Sequence, residues 1–216
     1  MKPKIALIDY GMGNLRSVGK ALELAGADVS VTSDKKTIRS SSGVVLPGVG
    51  SFGPAIEYLR REGLDKTVKE AVLSGKPYLG LCLGFQFLFT ESEEEGRFKG
   101  FDIVKGMVKK FDFKKAPAAQ RKLKIPHMGW NTVRVNRAKK GIFKGIPDNS
   151  YFYFVHSYYA VPDDKKITAG STVYGSEFCS AIEKDNIWAC QFHPEKSGAT
   201  GIKLLKNFIN EVTKCL

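Results

Sequence analysis

Residues 77–86 read PYLGLCLGFQ, an apolar run that opens on a proline and carries Cys82 between glycines at 80 and 84. A short run of this kind bounded by turn residues predicts a strand buried on both faces. The following FQFLF at 85–89 suits a helix pressed against the sheet. Strand, tight turn and helix form the setting of the G-x-S-x-G nucleophile elbow, here with sulfur in place of oxygen. An elbow implies an α/β sheet with Cys82 raised above its C-terminal edge.

Working outward towards the N-terminus, apolar runs alternate with helix-period stretches: KIALID at 4–9, NLRSVGKALELAGA at 14–27, VSVT at 29–32, GVVLPG at 43–48, then a helical region over 52–74. That alternation is the pattern of βαβ units. Towards the C-terminus the pattern becomes β-rich, with IVKGMVKKF at 103–111, WNTVRV at 130–135, SYFYFVHSYYAV at 150–161, ITAGSTVY at 167–174 and FCSAIEKDNIWACQF at 178–192. These predict hairpins and edge strands of a mixed sheet. ATGIKLLKNFINEV at 199–212 places Ile202, Leu205, Phe208, Ile209 and Val212 at helical spacing and predicts a closing helix. Exposed loops are expected at 114–126 and 162–166. The expectation is one three-layer α/β domain over residues 1–216, an open mixed sheet flanked by helices.

Composition narrows the function classes. The 216-residue chain is 43% hydrophobic, enough for one sizeable core. Its N-terminal apolar run is broken at Asp9, and no stretch approaches the ~18 apolar residues of a membrane span. A soluble, cytoplasmic protein is expected. Four scattered cysteines and three widely separated histidines give no metal-ligand spacing, so neither a metal nor a cofactor is expected. The net charge of +12 is dispersed. Its densest patches, KKFDFKK at 109–115 and RKLK at 121–124, accompany no nucleic-acid-binding signature and read as a solvated basic face.

A lone cysteine is ordinarily a core residue. What changes that reading of Cys82 is QFHPEKSG at 191–198. A thiol nucleophile needs a base, and the base needs an orienting carboxylate; His193 and Glu195 fit those roles. Pro194 biases His193 towards an extended backbone, where alternate residues project to one side. LPGVGSFG at 46–53 adds a glycine-rich loop after a strand, with the N–H groups of Val49 and Leu83 as candidate oxyanion donors. Glycines on both sides of Val49 leave its peptide easy to rotate.

GLCLGFQ, HPE and LPGVG, in these settings, resemble the class I, triad-type glutamine amidotransferases. Within that superfamily DYGMGNLRSV at 9–18, PHMGWN at 126–131 and HPEKSG at 193–198 resemble the glutaminase subunits of imidazole glycerol phosphate synthases. The resemblance implies a flavodoxin-like class I amidotransferase fold and hydrolysis of L-glutamine to glutamate and ammonia through a Cys82 thioester. It further implies that Gly50 and Gln86 hold the substrate, that Ser157 and Tyr158 bind its amino-acid end, and that Glu94 contributes. The partner implied is a (β/α)8-barrel cyclase subunit in a heterodimer. It would receive the ammonia and make imidazole glycerol phosphate and aminoimidazole carboxamide ribotide. Asn14, Arg16, Trp130, Tyr153 and Lys196, in or beside the specific motifs, are assigned to that interface.

Three other functions remain open on the sequence. The chain could serve another synthase, such as that for anthranilate, or act alone as a thiol hydrolase. An anion-binding module built on DYGMGN is also conceivable, although GMGN lacks the full dinucleotide fingerprint and no phosphate-contacting lysine follows.

Overall fold

The structure, a computed structural model, describes residues 2–114, 120–136 and 141–216. Part of the expected loop 114–126 therefore lies outside the described residues. The first half alternates as expected: β1 (Lys4–Ile8), α1 (Leu15–Leu24), β2 (Asp28–Thr32), α2 (Lys35–Ser40), β3 (Gly43–Leu46), α3 (Phe52–Arg61), α4 (Leu64–Leu73), β4 (Tyr78–Leu81) and a single turn α5 (Leu83–Gln86). The second half supplies β5 (Phe89–Ser92), β6 (Phe98–Lys99), β7 (Val104–Lys110), β8 (His127–Val135), β9 (Ser150–His156), β10 (Tyr158–Pro162), β11 (Thr168–Tyr174), β12 (Ser176–Lys184), β13 (Ile187–Cys190) and the closing helix α6 (Gly198–Lys214).

The strands lie in the order β2-β1-β3-β4-β13-β12-β10-β7-β5-β6. From β2 to β13 neighbours run parallel; β12 and β10 then pair antiparallel. A branch leaves β12 through β11 and β8 to β9. The parallel block 2-1-3-4 has the doubly wound order of flavodoxin-like sheets, whose sites form at the carboxyl ends of the strands.

Alternation along β1 shows how the layers are held. Ile5 and Leu7 pack into one apolar cluster with Val18 and Leu22 of α1 and Leu204, Leu205 and Phe208 of α6. Ala6 and Ile8 point the other way, into a cluster with Ile38 of α2, Ile56 and Leu59 of α3, and Val68 and Val72 of α4. Each large apolar side chain fully buried in these layers contributes about 1.5–3 kcal/mol of transfer free energy.

Two expectations need correction. The helical region 52–74 is two helices, because Gly63 turns left-handed at φ 64° and ends α3. A glycine at that position stops a helix without steric cost. FQFLF is not a helix packed on the sheet. Only one turn forms, and Phe87 and Leu88 then accept from Phe101, Ile103 and Val104 as the chain enters β5. Pairing beside β7 outweighs local helix preference there.

Glycine is required where the elbow crosses β3. A Cβ at Gly84 would collide with the Leu46 carbonyl, and one at Gly80 would lie 2.6 Å from the Gly84 oxygen. Gly84→Ala is expected to lower unfolding free energy by about 1–3 kcal/mol through forced backbone displacement, measured by urea denaturation; unchanged stability would show that the crossing is loose.

Candidate active site

Cys82 follows β4 with φ 53° and ψ −102°, a conformation that L-residues rarely adopt and that costs on the order of 1–3 kcal/mol. Its N–H donates to Cys190 of β13 at 2.8 Å, and its carbonyl accepts from Phe85 and Gln86 as the first bonds of α5. The chain is thereby fixed on both sides of the bend. Leu83 and Gly84 occupy the N-terminal turn, where N–H groups have no partner within the helix. That end favours negative charge at the sulfur or on an adjacent oxygen.

His193 follows β13 and is extended, φ −107° and ψ 94°, as expected before proline. Glu195, however, lies in a one-turn 3-10 helix over Pro194–Lys196 rather than in a continued extended segment. The short turn still brings the carboxylate to the ring, with His193 Nδ1 and Glu195 Oε1 2.8 Å apart and both side chains buried. Nδ1 must carry a hydrogen to serve a carboxylate, which leaves Nε2 for Cys82. Burial, the largest influence, opposes a charged imidazole. The Cys82 thiolate and the Glu195 carboxylate more than offset it and push His193 up to about 10. The His193 main chain is anchored as well, its N–H donating to Tyr153 at 2.9 Å and its carbonyl accepting from Ser197 Oγ at 2.6 Å.

In front of Cys82 is a cavity of about 220 Å³. Val49, Gly50, Leu83, Gln86, Glu94, Ser157 and Tyr158 all line it, together with Cys82 itself. The loop carrying Val49 is held from below: Tyr10 donates to the Pro47 carbonyl at 3.0 Å, so DYGMGN braces the loop. Glu94 Oε2 accepts from the Phe52 N–H at 2.9 Å, which caps α3 where Ser51 supplies no side-chain cap. Burial pushes the Glu94 carboxyl above the usual carboxylate range, with the Phe52 N–H opposing.

Other lining residues went unassigned in the sequence: Pro126, Val155 and His156. So did Gln191, fully buried, whose amide nitrogen lies 3.6 Å from the Cys82 sulfur. Gln191 stands two residues before His193, in the motif already quoted, and that spacing was its only signal. Of the residues assigned to an interface, Trp130 and Tyr153 are a cross-strand pair with rings 6.1 Å apart, and Lys196 Nζ lies 5.6 Å from the Tyr153 ring. Asn14 caps α1 through the Ser17 N–H at 3.3 Å. Arg16 is exposed on the same helix, which packs against the turn bearing Lys196.

The family model for class-I glutamine amidotransferases matches residues 6–212. The chain belongs to the class-I glutamine amidotransferase family. A curated relative of this amidotransferase, imidazole glycerol phosphate synthase subunit HisH of Moorella thermoacetica, is 49% identical over 208 residues, 96% of this chain and 94% of the relative. The subunit of the same name from Caldanaerobacter subterraneus subsp. tengcongensis is 47% identical over 212 residues, 98% and 100% of the two chains. Among solved structures, a glutamine amidotransferase superposes with a TM-score of 0.73 at 14% identity over 96% and 98% of the chains. The PurLQS structure from Thermotoga maritima gives 0.74 at 21% over 98% and 99%. At those identities the superpositions establish the fold.

At the cavity wall the amidotransferase buries an imidazole pair, His156 of the lining and His127 beside it. His127 Nδ1 lies 2.9 Å from His156 Nε2, and burial holds the two rings down at about 4 and about 3 respectively. Both values lie below the ordinary histidine value near 6.5, so the unfolded chain binds more protons in acid. Stability is expected to be intact above pH ~6.5 and to fall as pH drops from there towards ~4. His127→Gln, which can still donate to His156, should flatten that slope in urea midpoints measured against pH; an identical slope would assign acid loss to other groups.

Proposed function

We propose that this chain is the glutaminase subunit of an imidazole glycerol phosphate synthase, hydrolysing L-glutamine to glutamate and ammonia for use in histidine biosynthesis. The single observation that carries the chemistry is Cys82 at a strained strand-helix elbow, facing an imidazole whose far nitrogen is bonded to a buried carboxylate. The specific assignment is supported by relatives of that name at nearly full length on both sides.

In this mechanism the Cys82 thiolate attacks the glutamine side-chain carbonyl while His193 holds the proton. The tetrahedral oxyanion is stabilised by the N–H groups of Leu83 and Val49, each of the kind worth about 3 kcal/mol in such sites. His193 then gives its proton to the leaving nitrogen, and ammonia departs. Water, deprotonated by the same imidazole, hydrolyses the thioester. Glu195 keeps the ring oriented throughout. Gly50, Gln86, Ser157, Tyr158 and Glu94 share the cavity that would hold the substrate, and a carboxylate at Glu94 suits its α-ammonium. No cofactor is needed for any step.

The ammonia acceptor is a (β/α)8-barrel cyclase subunit, paired with this chain as a heterodimer, that forms imidazole glycerol phosphate and aminoimidazole carboxamide ribotide. Among the described residues no helix is long and apolar enough to cross a membrane, and a cytoplasmic pair is our reading. The docking face we assign centres on the outer side of the β8–β9 ribbon. There Met128, Trp130 and Tyr151 are 62%, 55% and 60% exposed, more apolar surface than an unpartnered edge ordinarily presents. Lys196 and Arg16 would flank it.

With the cyclase present, Cys82→Ala should abolish glutamine-dependent synthesis and leave synthesis from free ammonia intact; equal loss of both would make Cys82 structural. Trp130→Ala should weaken association with the cyclase by more than ~1 kcal/mol, roughly fivefold or more in Kd by calorimetry. An unchanged Kd would move the docking face elsewhere.

A further inference from the structure

We propose that Gln191 is a further catalytic residue, a hydrogen-bond donor to the Cys82 sulfur whose amide is prevented from flipping by a one-way chain anchored on the Tyr158 carbonyl. The inference rests on the glutaminase mechanism above and adds a residue to it. Amide orientation is ordinarily ambiguous, since oxygen and nitrogen are nearly isosteric. Here an acceptor that cannot donate removes the ambiguity.

The chain starts at that carbonyl. Gln86 lies 3.1 Å from the Tyr158 oxygen, so the end of Gln86 facing it must be the NH2 group. The same NH2 lies 3.0 Å from Gln191, so the end of Gln191 facing it must be the oxygen. Gln191 therefore presents its own NH2 to the sulfur, at 3.6 Å. Reversing Gln191 would set two NH2 groups against each other inside a buried site, where an unpaired donor costs roughly 1–3 kcal/mol.

The anchor is held from its other side. His156 Nδ1 lies 2.7 Å from the same Tyr158 oxygen, so Nδ1 bears the hydrogen and Nε2 is an acceptor. That Nε2 takes the hydrogen of His127 Nδ1, and His127 Nε2 faces the Asn131 amide at 3.2 Å. Every link has one donor and one acceptor with both rings neutral.

The consequence concerns which form of the sulfur is favoured. The Val155 carbonyl, 3.9 Å away, can only accept and favours the thiol. Gln191 can only donate and favours the thiolate. The other titratable groups around the sulfur are His193 and Glu195 after β13, Cys190 of β13, Tyr10 before α1, His156 of β9 beyond His193, and, across the cavity, Glu94 after β5 and Tyr158 of β10. A substitution at Gln191 leaves all of them in place.

Two measurements test this. Site-resolved alkylation of Cys82 by iodoacetamide across pH, followed by peptide mass spectrometry, reads the thiolate fraction. Gln191→Met keeps the volume without a donor and should raise the midpoint by about one pH unit, a tenfold loss of thiolate at a fixed pH below it. Gln191→Glu, which can still accept from Gln86, should raise it further. Midpoints equal to wild type in variants with wild-type melting temperatures overturn the proposal. Should both variants fail to fold, the unmodified chain decides: the Gln191 side-chain amide resonance should move with Cys82 ionisation and stay still in Cys82→Ala. An amide that ignores the titration in wild type also overturns it. Failure to hydrolyse glutamine with cyclase present would sink the glutaminase assignment instead, and both readouts would still stand.

Discussion

Everything at the site depends on one backbone crossing: the elbow at Cys82 pressed against the end of β3. The left-handed turn is unfavourable in isolation and survives because its surroundings over-determine it. Gly84 passes under the Leu46 carbonyl, Tyr78 donates to the Gly84 oxygen at 2.8 Å, and Cys82 is tied to Cys190 at 2.8 Å. Gly48 approaches the elbow from the other side, where any Cβ would meet Leu83 and the Tyr10 hydroxyl. The glycine loop and the elbow are therefore one packed unit. Val49 and Leu83, on separate loops, keep their relative positions because the loops touch in this way.

The electrostatics follow from that geometry. Cys82 and His193 are both buried, and burial by itself disfavours a thiolate-imidazolium pair. The outcome turns on what else is within reach. Glu195 supplies a full negative charge to the ring, the helix end supplies partial positive charge to the sulfur, and the mutual attraction of the pair completes the balance; His193 accordingly rises to about 10 despite its burial. The buried pair His127–His156 shows the opposite result of the same desolvation: with no carboxylate beside them, burial prevails and both rings stay neutral.

Much of this was legible in the sequence, and the reasons are specific. The β1-to-β4 half is readable because the buried parallel strands β1, β3 and β4 are apolar runs, the edge strand β2 alternates, and the helices between them keep a 3.6 period. Cys82, His193 and Glu195 are readable because their chemistry forces residue types into short motifs. FQFLF misleads because four apolar residues around one glutamine have no period that separates a helix turn from a strand, and only pairing beside β7 decides. The reason given for Glu195 also misleads, since a tight turn, not an extended strand, brings it to His193. Gln191 and the two buried histidines were invisible as a group. Gln191 meets Gln86 across 105 residues of chain and Cys82 across 109, and His127 meets His156 across 29, which no local pattern encodes.

The β8–β9 ribbon joins the outside of the molecule to this interior. Its register pairs His127 with His156 and Trp130 with Tyr153. Side chains alternate across a strand, so the histidine pair lies on the inner face and the aromatic pair on the outer. A slip of one residue would exchange the faces, exposing the imidazoles and burying the aromatic pair, which pins the register more firmly than backbone pairing alone. The ribbon is also bonded to the segment that carries His193, because the Tyr153 carbonyl accepts from the His193 N–H and the Tyr153 N–H donates to Ser197 Oγ. Pressure on the outer face at Tyr153 therefore acts on a strand whose main chain holds the imidazole and whose last residue, His156, holds the Tyr158 carbonyl. A partner docked on that face would bear on His193 and on the Tyr158 carbonyl through two hydrogen-bonded routes of one element.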